Sequence, residues 1–228
     1  MYGAYAAFYD THQGDRAEHA AYVRSLIEQH HPQARRVLEL ACGTGAILAQ
    51  LRHRYAVVGV DFSEPMLEVA REKLPDVRLI HADMTSISLD ERFDVVLCVY
   101  DSINHLLRFD EWETVFDRAR EHLDDDGVFI FDVNTKEKLD LFDEGRPASQ
   151  WFGDGHMFWC DVRRVEGTYL WDIRVFERVG EGDYRLHTEE IRQAVFDADR
   201  IRAALEERFS DVSTYGDPSN RLHFVAAR

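Results

Sequence analysis

The 228-residue chain has few cysteines, and the three that it has, Cys42, Cys98 and Cys160, include no Cys-x-x-Cys pair. Three widely spaced cysteines predict neither a disulfide framework nor a zinc site, and they fit a reducing compartment. No stretch approaches the ~18 consecutive apolar residues of a membrane-spanning helix, and the first five residues lack the basic and then apolar plan of a signal peptide. We therefore expect a cytoplasmic protein with no membrane partner.

Positive charge is also scarce. The chain has 27 Lys and Arg residues against 43 Asp and Glu residues, which gives a formal net charge of −16 at pH 7. Such a field repels phosphate backbones and anionic bilayers. The basic residues between Arg163 and Arg202 are interleaved with acids and form no patch. Nucleic acid is therefore not an expected partner.

Short runs rich in β-branched and aromatic residues predict five buried strands in the first 135 residues. The strands are expected over residues 36–40, 57–61, 77–81, 93–99 and 128–133, with helical patterns over 44–53, 63–73 and 110–123 between them. A further helix is expected over Asp15 to Gln29. The alternation of strand and helix predicts right-handed crossovers and a parallel sheet that is covered on both faces.

After residue 150 the apolar pattern changes to a period of two. Residues 157–166, 168–178 and 184–196 predict a three-stranded antiparallel meander. A helix over 197–208 and strands over 209–215 and 222–226 are expected to follow, so the meander is an insertion after the fifth strand. We expect an N-terminal helical lid (1–35), an α/β domain (36–150 and 197–228) and a β insertion (151–196) that serves as a substrate cap or a dimer face.

The most informative segment is Glu-Leu-Ala-Cys-Gly-Thr-Gly, from Glu39 to Gly45, where the first strand ends and a helix begins. Open α/β sheets bind ligands in this crevice, and glycines let the backbone approach a ligand closely. Leu48 stands where a dinucleotide fingerprint needs its third small residue, and no G-x-x-x-x-G-K-[ST] phosphate loop is present. With a carboxylate at the strand end, the crevice is expected to bind something less anionic than a diphosphate.

Two further motifs follow the next two strands: Gly59-Val-Asp-Phe-Ser63, followed by Met66, and Ala82-Asp-Met84. In this order and spacing, the three motifs resemble the class I S-adenosylmethionine-dependent methyltransferases over most of residues 36–133. Phe8 to Asp10, Tyr100 to Leu106 and Gly127 to Asp132 resemble, more closely, a bacterial group that acts on small molecules. The β insertion resembles that of the dTDP-aminosugar N-methyltransferases. Ala41 departs from the family pattern, which more often has a glycine there.

The resemblance implies a fold and a cofactor. The fold is a Rossmann-like, mostly parallel seven-stranded sheet with helices on both faces and a small antiparallel β insertion after the fifth strand. The cofactor is S-adenosylmethionine. The resemblance implies that Gly43 and Gly45 contact its methionine part, that Glu39 lies near the amino end, and that Asp61 accepts the ribose hydroxyls. It also implies that Asp83 and Met84 contact the adenine edge and that Phe62 and Met66 contact the adenine faces. Tyr9, Ala41, Val99 and Tyr100 complete the implied cofactor-binding set.

Methyl transfer is an in-line displacement on a carbon with an excellent leaving group, and positioning alone can supply ~7–11 kcal/mol of the barrier. An amine or hydroxyl acceptor must also lose a proton. The candidate catalytic residues are Asp101, Asn104 and His105, with Tyr9 as a flanking lid and His156, Trp159, His187, Glu189 or Arg192 from the insertion. For Asp101 and Asn104 the alternative is loop capping, and for Trp159 it is packing.

Two other features favour simple structural interpretations. Cys42 has no accompanying His or acid motif, so we interpret it as a packed loop residue and not as a nucleophile. The run from Asp124 to Asp126 resembles a metal loop, but other carboxylates are wrongly spaced, and a solvated turn between helix and strand is expected. No metal site is predicted.

The sequence therefore predicts methyl transfer to an N or O atom of a small-molecule acceptor, with a homodimer through the β insertion as a candidate assembly. Two alternatives stay open. One is a methyltransferase that acts on RNA or protein. The net charge and the lack of an Asn-Pro-Pro-Tyr signature argue against it. The other is a protein that binds S-adenosylmethionine without catalysing a reaction.

Overall fold

The computed structural model describes residues 3–14 and 16–228. Its elements are, in chain order, α1 (Ala6–Gln13), α2 (Ala17–His30), β1 (Arg36–Leu40), α3 (Ala46–Leu51), β2 (Ala56–Asp61), α4 (Glu64–Lys73), β3 (Arg78–His81), β4 (Phe93–Cys98), a 3-10 turn (Ser102–His105), α5 (Phe109–Glu121), β5 (Leu123–Asn134), α6 (Lys136–Asp143), β6 (Ala148–Phe152), β7 (His156–Val165), β8 (Thr168–Arg178), β9 (Tyr184–Gln193), α7 (Ala198–Glu206), β10 (Asp211–Asp217) and β11 (Arg221–Ala227). Among the described residues, no helix is both long enough and apolar enough to cross a bilayer.

Seven strands form the main sheet, in the order β10-β11-β5-β4-β1-β2-β3. β11 runs antiparallel to β5 and to β10, and the other neighbours are parallel. Alternate residues of the central strands point to opposite faces. On one face Val37 and Val95 pack with α2 and α3, and on the other Leu38 and Val96 pack with α5 and α7. The predicted mostly parallel sheet with helices on both faces is confirmed.

The expectation of a turn at Asp124 to Asp126 is wrong, because these residues belong to β5. In the pairing of β4 with β5, Leu123 lies opposite Phe93 and Val128 lies opposite Val95. The three aspartates therefore form an irregularity between two paired positions. This bulge carries the aspartate side chains away from the ladder, and Asp125 and Asp126 are exposed.

The insertion is an antiparallel sheet of four strands, β6-β7-β8-β9, where the sequence predicted three. The additional strand, β6, has no clear alternation of apolar and polar residues in Ala-Ser-Gln-Trp-Phe. It begins at Ala148, and α6, which was not predicted, precedes it. Thr135 is the N-cap residue of α6, and its hydroxyl accepts a hydrogen bond from the Lys138 N–H.

The two faces of the four-stranded sheet differ. The inner face packs Phe152, Ile173 and Ile191 against Tyr5 at the start of α1 and Leu139 of α6. Thus α1 packs on the four-stranded sheet, whereas α2 packs on the seven-stranded sheet. Asp15, where the helix expected before the first strand was to start, lies outside the described residues.

The outer face carries an apolar row, which we define as Trp151, Met157, Phe176 and Leu186. These residues lie directly opposite one another across β6, β7, β8 and β9. Trp151 is 63% exposed and Leu186 is 50% exposed. The seven-stranded sheet has no comparable row, because helices cover both of its faces.

Candidate active site

A cavity of about 280 Å³ lies where β1, β2, β3 and β4 end, and we call it the strand-end cavity. Parallel strands bring the loops that follow them to one edge of the sheet, which is why motifs far apart in the chain meet here. The predicted cofactor-binding residues that line it are Tyr9, Glu39, Ala41, Gly43, Asp61, Phe62, Met66, Asp83, Met84, Val99 and Tyr100. His105 also lines it, but Gly45, Asp101 and Asn104 do not.

The loop after β1 turns through left-handed backbone conformations at Ala41, Gly43 and Gly45, with φ of 54°, 55° and 72°. A Cβ atom on Gly43 would meet nothing within 4 Å, so this glycine leaves the cavity open. A Cβ atom on Gly45 would lie 2.6 Å from Leu74 Cδ1. Leu74 Cδ1 is the end of a flexible side chain that can move, so the reason for glycine here is the φ of 72°, and Gly45 does not border the cavity.

Asp61, at the end of β2, holds this loop in place. Its Oδ2 accepts a hydrogen bond of 2.7 Å from the Gly43 N–H, and its Oδ1 accepts one of 2.7 Å from the Ser63 N–H. Burial raises the pKa of Asp61, and the two N–H groups oppose that shift. Because each carboxylate oxygen has two lone pairs, Asp61 can accept one more hydrogen bond at each oxygen, as a vicinal diol requires.

Glu39 is 3% exposed, and its Oε2 has no hydrogen-bond partner among the described residues. Burial, and after it the neighbouring Asp61, raises the pKa of Glu39 well above its usual range. An unpaired buried carboxylate is costly, so this oxygen calls for a donor or a cation from a ligand. The ammonium of S-adenosylmethionine has the chemistry that this site lacks.

The far wall of the cavity has an apolar surface with a polar edge. Phe62 is 65% exposed, whereas Met66 on the following helix is buried. Asp83 uses Oδ1 to accept hydrogen bonds from the N–H and the hydroxyl of Thr85, at 2.8 and 2.7 Å. Both contacts leave Oδ2 for another donor. An aromatic face, a thioether and an acceptor edge fit an adenine ring.

The segment after β4 is strained and is held by Asp132. Tyr100 and Asp101 have positive φ, 62° and 50°, although neither is glycine. Their N–H groups donate to Asp132, at 2.9 and 2.6 Å. Burial would raise the pKa of Asp132, but Arg221 and His19 hold it below its usual value. The sequence motif contained Asp132 without assigning it a role; its position in a buried strand was the available signal.

The structure separates the three candidate catalytic residues. Asp101 accepts hydrogen bonds from Arg221 and, at 2.7 Å, from Gln193 Nε2. Asn104 is fully buried, and its amide group donates to the carbonyls of Asn134 and Ala194 and accepts from the Asn134 N–H. The geometry of Asn104 is that of a structural tie between the 3-10 turn, β5 and the end of the insertion.

His105 borders the strand-end cavity and is held by the insertion. Its Nδ1 lies 3.3 Å from the carbonyl oxygen of Arg192 in β9, and donation there assigns the lone pair to Nε2. Burial lowers the pKa of His105, which favours the neutral imidazole at neutral pH. The insertion thus orients a histidine that borders the strand-end cavity.

A second cavity, of about 240 Å³, lies beside the first and is called the insertion cavity. Tyr9, Arg16 and Tyr100 line both cavities. The remaining lining residues of the insertion cavity are Tyr5, Gln13, Asp101, Asn134, Lys138, Phe142, Phe158, Trp171, Ile173, Ile191, Gln193 and Arg221. Sequence reasoning missed its cations, Arg16, Lys138 and Arg221, because no local motif marks them.

The insertion residues that the sequence offered as candidates line neither cavity. His187 lies 2.8 Å from Glu177, and Trp159 packs under Arg174 on the outer face. Glu189 accepts a hydrogen bond from the Gly3 N–H, and the ring of His156 contacts that of Phe8. Arg192 contributes through its carbonyl, which orients His105.

Cys42 lines the strand-end cavity, but it is 6% exposed, and burial raises the pKa of its thiol well above the usual value. A protonated thiol is a poor nucleophile. Its contacts with Leu48 and Leu67 are those of a packed loop residue.

Comparison with known proteins agrees with this geometry. A family model described as a methyltransferase domain matches residues 37–127. The chain is 38% identical to the dTDP-3-amino-3,6-dideoxy-alpha-D-glucopyranose N,N-dimethyltransferase of Streptomyces fradiae, over 56% of this chain and 52% of that enzyme. The alignments with three such sugar methyltransferases span 52%, 54% and 52% of those enzymes, about half of their length.

Two solved structures match nearly the whole chain. The first, of S-adenosylmethionine-bound CalS10, an amino pentose methyltransferase from Micromonospora echinaspora, has a TM-score of 0.84 at 25% identity and covers 100% of this chain and 98% of that one. The second, of Streptomyces venezuelae DesVI, has a TM-score of 0.85 at 25% identity and covers 97% and 95%. By its fold and its three strand-end motifs, the chain is similar to the class I S-adenosylmethionine-dependent methyltransferases.

Proposed function

We propose that this methyltransferase methylates the amino nitrogen of a small molecule that carries an anionic group, as an amino sugar linked to a nucleoside diphosphate does. The observation that carries the proposal is the insertion cavity, which shares Tyr9, Arg16 and Tyr100 with the strand-end cavity. A reaction between two bound molecules needs adjoining binding sites that bring the reacting atoms together, and the three shared residues place the two cavities side by side. A cavity of about 240 Å³ also lies near the ~300–1,000 Å³ range of small-molecule sites.

In this proposal the strand-end cavity holds S-adenosylmethionine, which supplies a methyl group on a positively charged sulfur. Glu39 binds the ammonium through its unpartnered oxygen, and Gly43 leaves room for the methionine part. Asp61 accepts the ribose hydroxyls with its remaining lone pairs. Asp83 accepts from the adenine amino group, and the Met84 N–H donates to the ring, which Phe62 and Met66 flank.

The charges of the insertion cavity support an anionic acceptor. Arg16, Lys138 and Arg221 line it, and Asp101 is the lining carboxylate. Lys138 forms no salt bridge among the described residues, so its ammonium group can pair with a ligand. The relatives from Streptomyces fradiae and Micromonospora echinaspora act on an amino sugar linked to dTDP and on an amino pentose, according to their names.

We propose His105 as the group that takes the proton from the acceptor amine. Its neutral Nε2 has the lone pair that this step needs, and β9 fixes the ring. We also propose that α1 and the β insertion together form the cap over the acceptor, because they share one apolar cluster. The cap would order the acceptor and exclude water while the nitrogen attacks.

The test is methyl transfer from S-adenosylmethionine with a labelled methyl group. The acceptors are a dTDP-linked amino sugar, the same amino sugar without the nucleotide, and pools of RNA and protein. We expect the label on nitrogen, located by mass spectrometry, with the nucleotide-linked sugar as the better acceptor. Label in RNA, in protein or on oxygen would contradict the proposal, and so would cofactor binding without product from any amine.

The role of His105 is tested by His105→Ala. We expect turnover to fall at least ~100-fold, the lower end of what general acid–base catalysis supplies, with cofactor affinity unchanged. The control is His53→Ala, which removes an exposed histidine. Equal turnover in the two variants would exclude His105 as the base.

A further inference from the structure

We infer that His19, Asp132 and His223 form a binding site for one divalent transition-metal ion, outside both cavities. The three residues come from α2, β5 and β11, and each offers one ligand atom. These three atoms lie within 4.8 Å of one another. None of the three residues lines the strand-end cavity or the insertion cavity.

The distances between these atoms fit a metal better than a hydrogen-bonded cluster. Nε2 of His19 lies 3.5 Å from Oδ2 of Asp132, and Nε2 of His223 lies 3.8 Å from the same oxygen. Hydrogen bonds from nitrogen to oxygen are ~2.7–3.2 Å long, so neither contact is one. Two ligand atoms ~2.0–2.1 Å from a tetrahedral zinc ion are ~3.4 Å apart, which these distances approach.

The buried nitrogens of the two histidines support a ligand at this place. Nε2 of His19 and both ring nitrogens of His223 are shielded from solvent and have no hydrogen-bond partner among the described residues. The side chain of His223 is 8% exposed, and that of Asp132 is 0% exposed. Because buried polar groups are nearly always satisfied, the two unsatisfied Nε2 atoms that face one carboxylate need an explanation. A metal ion bound by both imidazoles and by Asp132 satisfies one nitrogen of each.

Asp132 supplies the negative charge at the site. Arg221 pairs with Asp132 and is shared with Asp101. Arg221 bonds to Oδ1 of Asp132, whereas both histidines face Oδ2. Two imidazoles and one carboxylate are a common ligand set for zinc and for related ions, with a fourth position for water.

A bound ion would tie α2 to the two adjacent strands of the main sheet, β5 and β11. The ring of His19 also contacts that of Tyr100, with 4.2 Å between the centroids, and Tyr100 lines both cavities. The ion would therefore stabilise the wall between the cavities. Since the site is formed only in the folded chain, metal binding would also stabilise the folded state.

The experiment uses the full chain, freed of metal with a chelator and titrated at neutral pH with Co²⁺ and with Zn²⁺. We expect one equivalent to bind, with visible Co²⁺ absorption bands that Zn²⁺ displaces, and with a higher melting temperature. His19→Gln and His223→Gln should each weaken Zn²⁺ binding at least ~10-fold, because losing even an outer hydrogen-bond partner of a metal ligand costs ~10–100-fold. The control is His53→Gln, at an exposed histidine.

Absence of saturable binding by the wild-type chain would overturn the inference, and this arm needs no variant. Binding that survives unchanged in both His19→Gln and His223→Gln would also overturn it, since the ion would then sit elsewhere. If His223→Gln fails to fold, His19→Gln remains informative, because the side chain of His19 is 18% exposed and lies on a helix. These readouts do not depend on methyl transfer.

Discussion

The two cavities differ in the sign of the charge that they present. The strand-end cavity is lined by Glu39, Asp61 and Asp83, and the cation on its lining, Arg16, lies on the wall that it shares with the other cavity. The charged residues that line the insertion cavity are three cations and one carboxylate, although the chain as a whole carries a net charge of −16. Adjacent cavities of opposite sign can each reject the ligand of the other. If the proposed function is right, charge directs a cationic cofactor and an anionic acceptor to opposite sides of Tyr100.

The two cavities also differ in what shapes them. The backbone bends of the loop after β1, held by Asp61, shape the strand-end cavity. Side chains from distant parts of the chain shape the insertion cavity, as when Arg221 pairs with Asp101, 120 positions earlier. A substitution in the first cavity should therefore disturb the loop and the cofactor together, whereas one in the second should disturb the acceptor alone.

The largest expected effect is that of Asp61→Ala. Two hydrogen bonds to a carboxylate are worth ~1.5–3 kcal/mol each, so the affinity for S-adenosylmethionine should fall at least ~100-fold. Isothermal titration calorimetry measures it, with Asp90→Ala as the control at an exposed aspartate. An unchanged affinity would show that Asp61 does not bind the ribose. It would also contradict the idea that acidic residues of the strand-end cavity bind the cofactor.

The next effect is that of Glu39→Gln, which should act on stability and on binding with opposite signs. The raised pKa of Glu39 means that the folded chain binds the carboxyl proton more tightly than the unfolded chain does. The stability of the cofactor-free wild type should therefore fall as the pH rises from the ordinary glutamate value towards the raised one. The variant lacks this loss, so it should be the more stable protein at neutral pH.

Glu39→Gln should nevertheless bind S-adenosylmethionine at least ~10-fold more weakly, because the neutral amide loses the charge-assisted bond to the ammonium. Melting temperatures across the pH range and calorimetric affinities measure the two effects. A cofactor-free variant that is less stable than wild type at neutral pH would show that Glu39 has a partner in the protein.

The contrast also explains which parts of the molecule can be predicted from sequence. Buried parallel strands are continuous apolar runs, so β1, β2, β4 and β5 and the loops that follow them could be located, with Asp61 among them. β3 was also located, but the expectation that it is buried is wrong, because it is the edge strand of the sheet. The reason for Gly45 could not be predicted, since it is the left-handed backbone conformation that the folded loop adopts there, with φ of 72°. Nor could the insertion cavity, because Lys138 and Arg221 meet only through the tertiary structure. Without strong alternation or a charge pattern, α1 and β6 leave no sequence signal.

A smaller effect is expected from Lys138→Gln in the insertion cavity. Loss of one hydrogen bond to a charged group costs ~1.5–3 kcal/mol, so the KM for an anionic acceptor should rise ~10-fold or more, with cofactor affinity unchanged. Lys138→Arg should restore most of the loss, because it keeps the positive charge. The matched control is Lys136→Gln, since Lys136 lies on the same helix and pairs with Asp140. Equal KM values for Lys138→Gln and wild type would show that the positive charge of Lys138 does not bind the acceptor.

The smallest expected effect on catalysis concerns the outer face of the four-stranded sheet. The homodimer expected from the sequence stays a prediction, and the apolar row is where we place its contact, because exposed apolar rows are typical of protein interfaces. Light scattering should give the wild type twice the 26.6 kDa mass of the chain, and the double variant Trp151→Ser, Leu186→Ser the mass of one chain. Leu141→Ser is the control, since Leu141 is 65% exposed on α6. Cofactor affinity should not change, because the row faces away from the cavities. A monomeric wild type would contradict the predicted homodimer, and the two sheets would then differ only on the sides that face the cavities.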